Sequence, residues 1–74
     1  METKLTLRAI RINLGLTLEQ ASNLIGISEK TLANYERGTT YPDVPMIMNI
    51  EKAYKISYDN INFLITKDVI HDKT

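Results

Sequence analysis

The sequence predicts an all-α fold, a compact five-helix domain within a single 74-residue unit. Three observations predict it. Apolar residues recur at three- and four-residue intervals rather than alternating. The glycines Gly15, Gly26 and Gly38 fall about a dozen residues apart, each where a helical run stops. Thr17, Ser28, Asp43 and Ser57 stand just before successive runs, and each has a side-chain oxygen able to cap a helix.

The first helix is expected over roughly Thr3 to Leu14, with Leu7, Ile10, Arg11 and Leu14 on one face. Gly15 suits the left-handed position that follows a last turn. A second helix starts at Thr17. Its hydroxyl is placed to cap the amide of Gln20, whose side chain reaches back in a capping box. Glu19 lies where the helix dipole favours an acid, and the run ends at Ile25-Gly26. The third helix begins at Ser28 after only Gly26-Ile27. Ile27 and Leu32 sit at staple spacing, and the helix ends at Arg37-Gly38. After a loop, Thr39-Thr40-Tyr41-Pro42, Asp43 caps a fourth helix whose first turn tolerates Pro45 and whose apolar face holds Ile47, Ile50 and Tyr54. Ser57 is expected to cap a short fifth helix that includes Ile61 and Leu64. The domain is assigned to residues 1–65. Residues 66–74 form a polar C-terminal tail with Val69 and Ile70 as its apolar pair.

Composition removes several function classes. With no cysteine, there is no disulfide, thiolate nucleophile or cysteine zinc site. The lone histidine, His71, falls in the tail, so no His-based metal cage, Ser–His pair or cofactor is expected. Acidic pairs such as Asp68 and Asp72 also lie there, with no apolar pocket to perturb them, and no enzyme activity is expected. Apolar runs such as Phe63-Leu64-Ile65 are too short to span a bilayer, and Met1-Glu2-Thr3-Lys4 lacks the layout of a secretory signal. Cytoplasm is the expected compartment. Nine basic and nine acidic residues cancel, so bulk charge does not point to nucleic acid. Any such evidence must be local.

The local evidence is the pair of helices joined by Gly26-Ile27-Ser28, which has the spacing of a helix-turn-helix. Ser28 caps the second of them and leaves its amides and positive dipole end facing outward. Residues 7 to 61 resemble the Cro/phage-repressor (XRE) type of helix-turn-helix, a lambda-repressor-like domain. The resemblance rests on Leu7-Arg8-x-Ile10-Arg11, Gly15-Leu16-Thr17, Ile25-Gly26-Ile27-Ser28 and Thr31-Leu32. It continues through Tyr35-Glu36-Arg37-Gly38, Pro42 and Ile50-x-x-Ala53-Tyr54-x-Ile56-Ser57.

The resemblance implies a homodimeric, repressor-like transcriptional regulator that binds double-stranded DNA at a palindromic operator, with helix 28–37 in the major groove. Glu29, Lys30, Thr31 and Asn34 map to base-reading positions. Lys30 suits guanine, Asn34 adenine, Glu29 the cytosine amino group, and Thr31 a thymine methyl or a phosphate. Thr17, Ser28, Thr39, Thr40 and Tyr41 fall where the family touches phosphates, and Arg8 is a further phosphate candidate. Arg11 and Glu36 match a structural ion pair that joins the first and third helices. Outside the motif, Glu29, Lys30 and Asn34 would read as an ordinary solvated face. Ile61, Phe63, Leu64 and Ile65 carry more apolar surface than one short helix buries beneath itself, and relatives dimerise through the equivalent helix.

Several positions depart from the family pattern. Leu18 replaces a glutamine that braces a phosphate, and Thr39-Thr40-Tyr41 replaces a basic loop. Ala21-Ser22 stands for a Leu-Ala pair, Leu24 for a polar residue, Glu51 for a small residue and Lys55 for a glycine. Residues 1–42 hold five basic residues (Lys4, Arg8, Arg11, Lys30, Arg37) against four acids (Glu2, Glu19, Glu29, Glu36). Modest, salt-sensitive DNA binding is therefore expected. The alternative is a protein-binding module that modulates a repressor, toxin or similar partner through Leu18 and Leu24.

Overall fold

The computed structural model describes residues 4–63. Among them are four α-helices: α1 (Leu7–Asn13), α2 (Leu18–Ile25), α3 (Glu29–Arg37) and α4 (Val44–Tyr54). Two short strands, β1 (Leu5–Thr6) and β2 (Ile61–Asn62), pair in parallel, Leu5 opposite Ile61 and Thr6 opposite Asn62.

Local hydrogen bonding sets the helix starts. The Thr17 hydroxyl accepts from the Gln20 amide at 3.0 Å, and Gln20 Oε1 accepts from the Thr17 amide at 2.9 Å. Ser28 caps α3 through the Thr31 amide, and Asp43 caps α4 through the Met46 amide. Pro45 sits in the first turn of α4, where its missing N–H has no intrahelical acceptor to lose.

Two expected elements are corrected. The first helix does not begin near Thr3, which lies outside the described residues. It begins at Leu7, because Thr6 accepts from the Ala9 amide as N-cap and the chain before it is extended against β2. Nor does a fifth helix follow Ser57 among the described residues. Ser57 does cap, accepting from the Asp59 amide, but only a 3-10 turn, Tyr58–Asn60, follows before the chain extends into β2. Glu51 Oε2 accepts from the Tyr58 amide at 2.7 Å and ties this turn to α4. Leu64, Ile65 and the 66–74 tail lie outside the described residues.

The core is Leu7, Ile10, Ala21, Ile25, Leu32, Ile50, Tyr54 and Ile61, with Leu32 and Ile50 fully enclosed. Ile61 is 3% exposed, so it closes the monomer core and is removed from the expected dimer contact. Phe63 stays half-buried and stacks on Tyr58 with ring centroids 5.7 Å apart.

α4 ends on Lys55 in the left-handed region, at φ 55. A side chain there costs about 1–2 kcal/mol in local sterics, against about 0.5–1 kcal/mol of extra unfolded-state entropy that glycine would bring. Lys55→Gly is accordingly expected to stabilise the domain by about 0.5–1 kcal/mol in urea unfolding. Destabilisation would mean that the lysine makes a contact which outweighs the strain.

Candidate nucleic-acid interface

The turn between α2 and α3 is built from backbone bonds. The Ser22 carbonyl accepts from the amides of Gly26 (2.8 Å) and Ile27 (3.0 Å). Gly26 takes φ 93, ψ 33, and a Cβ placed there would meet nothing within 4 Å. Glycine is needed for conformation rather than for space. Ala21 and Ser22 are buried under this turn, and the Ser22 hydroxyl is satisfied by donating to the Glu19 carbonyl at 2.9 Å.

At the start of α3, the Ser28 hydroxyl accepts from the Thr31 amide at 3.1 Å and donates to the Thr31 hydroxyl at 2.9 Å. Both of its roles are used within the cap. The Thr31 hydroxyl keeps its own proton to donate outward. The amides of Glu29 and Lys30 belong to the opening turn, which has no intrahelical acceptors.

Glu29 and Lys30 are exposed, while Thr31 and Asn34 are half-buried. Lys30 and Asn34 are four residues apart and lie one turn above the other; Glu29 sits about 100° round the helix from Lys30. The stripe continues to Arg37, three residues beyond Asn34. Its Nη2 donates to Asn34 Oδ1 at 2.7 Å. Arg37 is not among the residues that the sequence singles out for the site, although its i+7 spacing from Lys30 puts it on the same face.

Arg8, Thr17, Thr39, Thr40 and Tyr41 are exposed. The Thr17 hydroxyl accepts within the capping box and retains a proton to donate. Gly38 ends α3 at φ 79, and the Thr39 amide donates back to the Asn34 carbonyl at 3.0 Å, which folds the following loop against the end of the helix.

An ion pair between helices fixes the angle of α3. Arg11 Nε donates to Glu36 Oε2 at 2.7 Å, and its Nη2 donates to Glu36 Oε1 at 3.1 Å. Nη1 donates to the Leu16 carbonyl at 3.1 Å, so one guanidinium joins α1, the loop before α2, and α3. The side chains are 13% and 7% exposed. The hydrogen bond to Glu36 raises Arg11 above the usual arginine pKa, with burial acting in the opposite sense. Nearby, the buried Tyr54 hydroxyl has no hydrogen-bond partner among the described residues. Burial, with the Glu36 charge adding to it, pushes its pKa up to about 12.

The expected protein-binding pair divides. Leu24 is 57% exposed, whereas Leu18 is half-buried and packs against the core. Six residues of helix separate them by about 120°, so they do not form one patch.

The family described as helix-turn-helix matches residues 7–61. The chain is 30% identical over 67 residues to the HTH-type transcriptional regulator ImmR of Bacillus subtilis (strain 168). That alignment covers 90% of this chain and 50% of the relative, so the chain spans half the length of the curated protein it matches. No solved structure matches.

Proposed function

Because the chain belongs to the XRE-type helix-turn-helix family, we propose that it is a DNA-binding transcriptional regulator of the repressor type, reading an operator with α3 in the major groove. One observation carries the reading. Lys30 and Asn34 stand one turn apart on an accessible face of α3, behind a capped N-terminus, on a helix held at a set angle by Arg11 and Glu36. In this reading Glu29, Lys30, Thr31 and Asn34 meet base edges. Arg8, Thr17, Thr39, Thr40 and Tyr41 meet phosphates, with Ser28 contributing mainly as the cap.

The protein acts as a homodimer in this proposal, with its recognition helices about 34 Å apart on a palindromic operator. Val44 (69% exposed), Met48 (52%) and Tyr58 (50%) support this. They line a shallow groove with Ile47 and Glu51, and Tyr58 continues it to Phe63. Leu64 and Ile65 remain part of the proposed contact and lie outside the described residues. A strict monomer by sedimentation at micromolar concentration would remove the dimer from the proposal.

Affinity for an operator selected from a random library is measured by fluorescence anisotropy at rising salt. The few cationic side chains near α3 lead to a shallow dependence, about a hundredfold or less between about 50 and 200 mM, against the roughly thousandfold or more of interfaces with many phosphate contacts. No sequence preference at low salt would reject the reading. The second reading, a module that binds another protein, is favoured by the exposed Leu24. It predicts capture of that partner without operator binding.

A further inference from the structure

The bond between Arg37 and Asn34 alters what α3 can read. Asparagine reads adenine through two opposed bonds: its carbonyl oxygen accepts from N6, and its amino group donates to N7. In this chain, Arg37 Nη2 already donates to Asn34 Oδ1 at 2.7 Å. A charge-assisted bond of that length is strong, and Oδ1 is the only acceptor on the side chain. A second lone pair remains on Oδ1, but an adenine amino group using it would enter beside the guanidinium, donor against donor. Asn34 is left presenting its two amide protons.

The rest of the stripe has the same character. Lys30 donates only, and so do the remaining N–H groups of Arg37. Lys30, Asn34 and Arg37 share one helix face at i, i+4 and i+7. Glu29, the acceptor in this region, lies off that line.

On the reading that α3 enters the major groove, we infer that Arg37 is a specificity-determining residue: it makes Asn34 a pure donor, and the Lys30–Asn34–Arg37 face selects guanine at the Asn34 position. Guanine presents two acceptors there, N7 and O6, whereas adenine pairs an acceptor with a donor. Arg37 acts on the base through the orientation of the asparagine amide.

The test selects operators from a random duplex library with the wild-type protein and with Asn34→Ala, Arg37→Ala and Arg37→Met. The base pair whose preference disappears in Asn34→Ala marks the Asn34 position. Wild type should prefer guanine there. Both Arg37 variants should shift that pair toward adenine by about tenfold in relative affinity, leaving the other positions unchanged. Adenine in the wild-type operator, or guanine unmoved in both Arg37 variants, would overturn the inference. So would a uniform loss of affinity on all sequences, which would make Arg37 a phosphate contact. A wild-type protein that enriches no motif would reject DNA reading as a whole, an outcome distinct from an enriched motif with the wrong base.

Discussion

Replacing Lys30 and Asn34 together with alanine is expected to lower affinity for the selected operator by about a hundredfold or more, with little change in stability. Each well-placed base contact discriminates by about 1–3 kcal/mol, so two contacts in one groove account for a loss of that size. Lys30 is exposed, and Asn34 bonds through its side chain only to the exposed Arg37, so neither supports the core. Surface changes of this kind stay within about 0.5 kcal/mol of the parent. Anisotropy on the operator and on a scrambled duplex, beside a thermal melt, separates the two effects. Equal affinity for parent and variant would place base reading elsewhere. A variant that kept a protein partner while the parent showed no operator preference would favour the Leu24 reading instead.

The second large effect concerns the tie between helices. Arg11→Met is expected to cost about 3 kcal/mol in urea unfolding, the low end of the range for a pair withdrawn from water. The substitution strips Glu36 of both guanidinium bonds in a place where it is 7% exposed, and it also orphans the Leu16 carbonyl. The double variant Arg11→Met, Glu36→Met should recover most of that loss, because two apolar side chains of similar length need no desolvation. That recovery of about 2 kcal/mol relative to Arg11→Met would be the signature of the pair. A small domain holds only about 5 kcal/mol or somewhat more in total, so the single variant would be partly unfolded on warming. A cost under about 1 kcal/mol would show that the pair behaves as an exposed surface bridge. Since the same guanidinium sets α1 against α3, the folded fraction of Arg11→Met should also lose operator affinity through misdirection of α3.

Several features that place the site were legible from local chemistry. Thr17 with Gln20, Ser28 with Thr31, and Asp43 with Met46 are bonds between residues three apart, and a cap of that span is written in a single turn of chain. Gly26 and Gly38 mark left-handed backbone that other residues enter only at a cost, so they punctuate the helices wherever the rest of the fold goes. The Ser57 cap was equally legible, but its sequel was not. A cap starts a turn without fixing its length, and β1 claimed Ile61 and Asn62 before a helix could form.

Periodicity and capping thus determine, from the sequence by itself, the four helices down to Tyr54, apart from where α1 begins, and the turn that joins α2 to α3. The tertiary structure alone decided the rest. The parallel pairing of Leu5 with Ile61 joins the two ends of the described chain, and strands of two residues have no periodicity to announce them. Ile61 passed from the expected interface to the core by that pairing. The bond from Arg37 to Asn34, the Glu51 anchor on Tyr58 and the Tyr54 hydroxyl's lack of a partner among the described residues depend on where side chains settle once the helices have packed. The reason is physical: a turn of helix is fixed by neighbours a few residues away, whereas a side chain's partner is fixed by segments that only packing brings together.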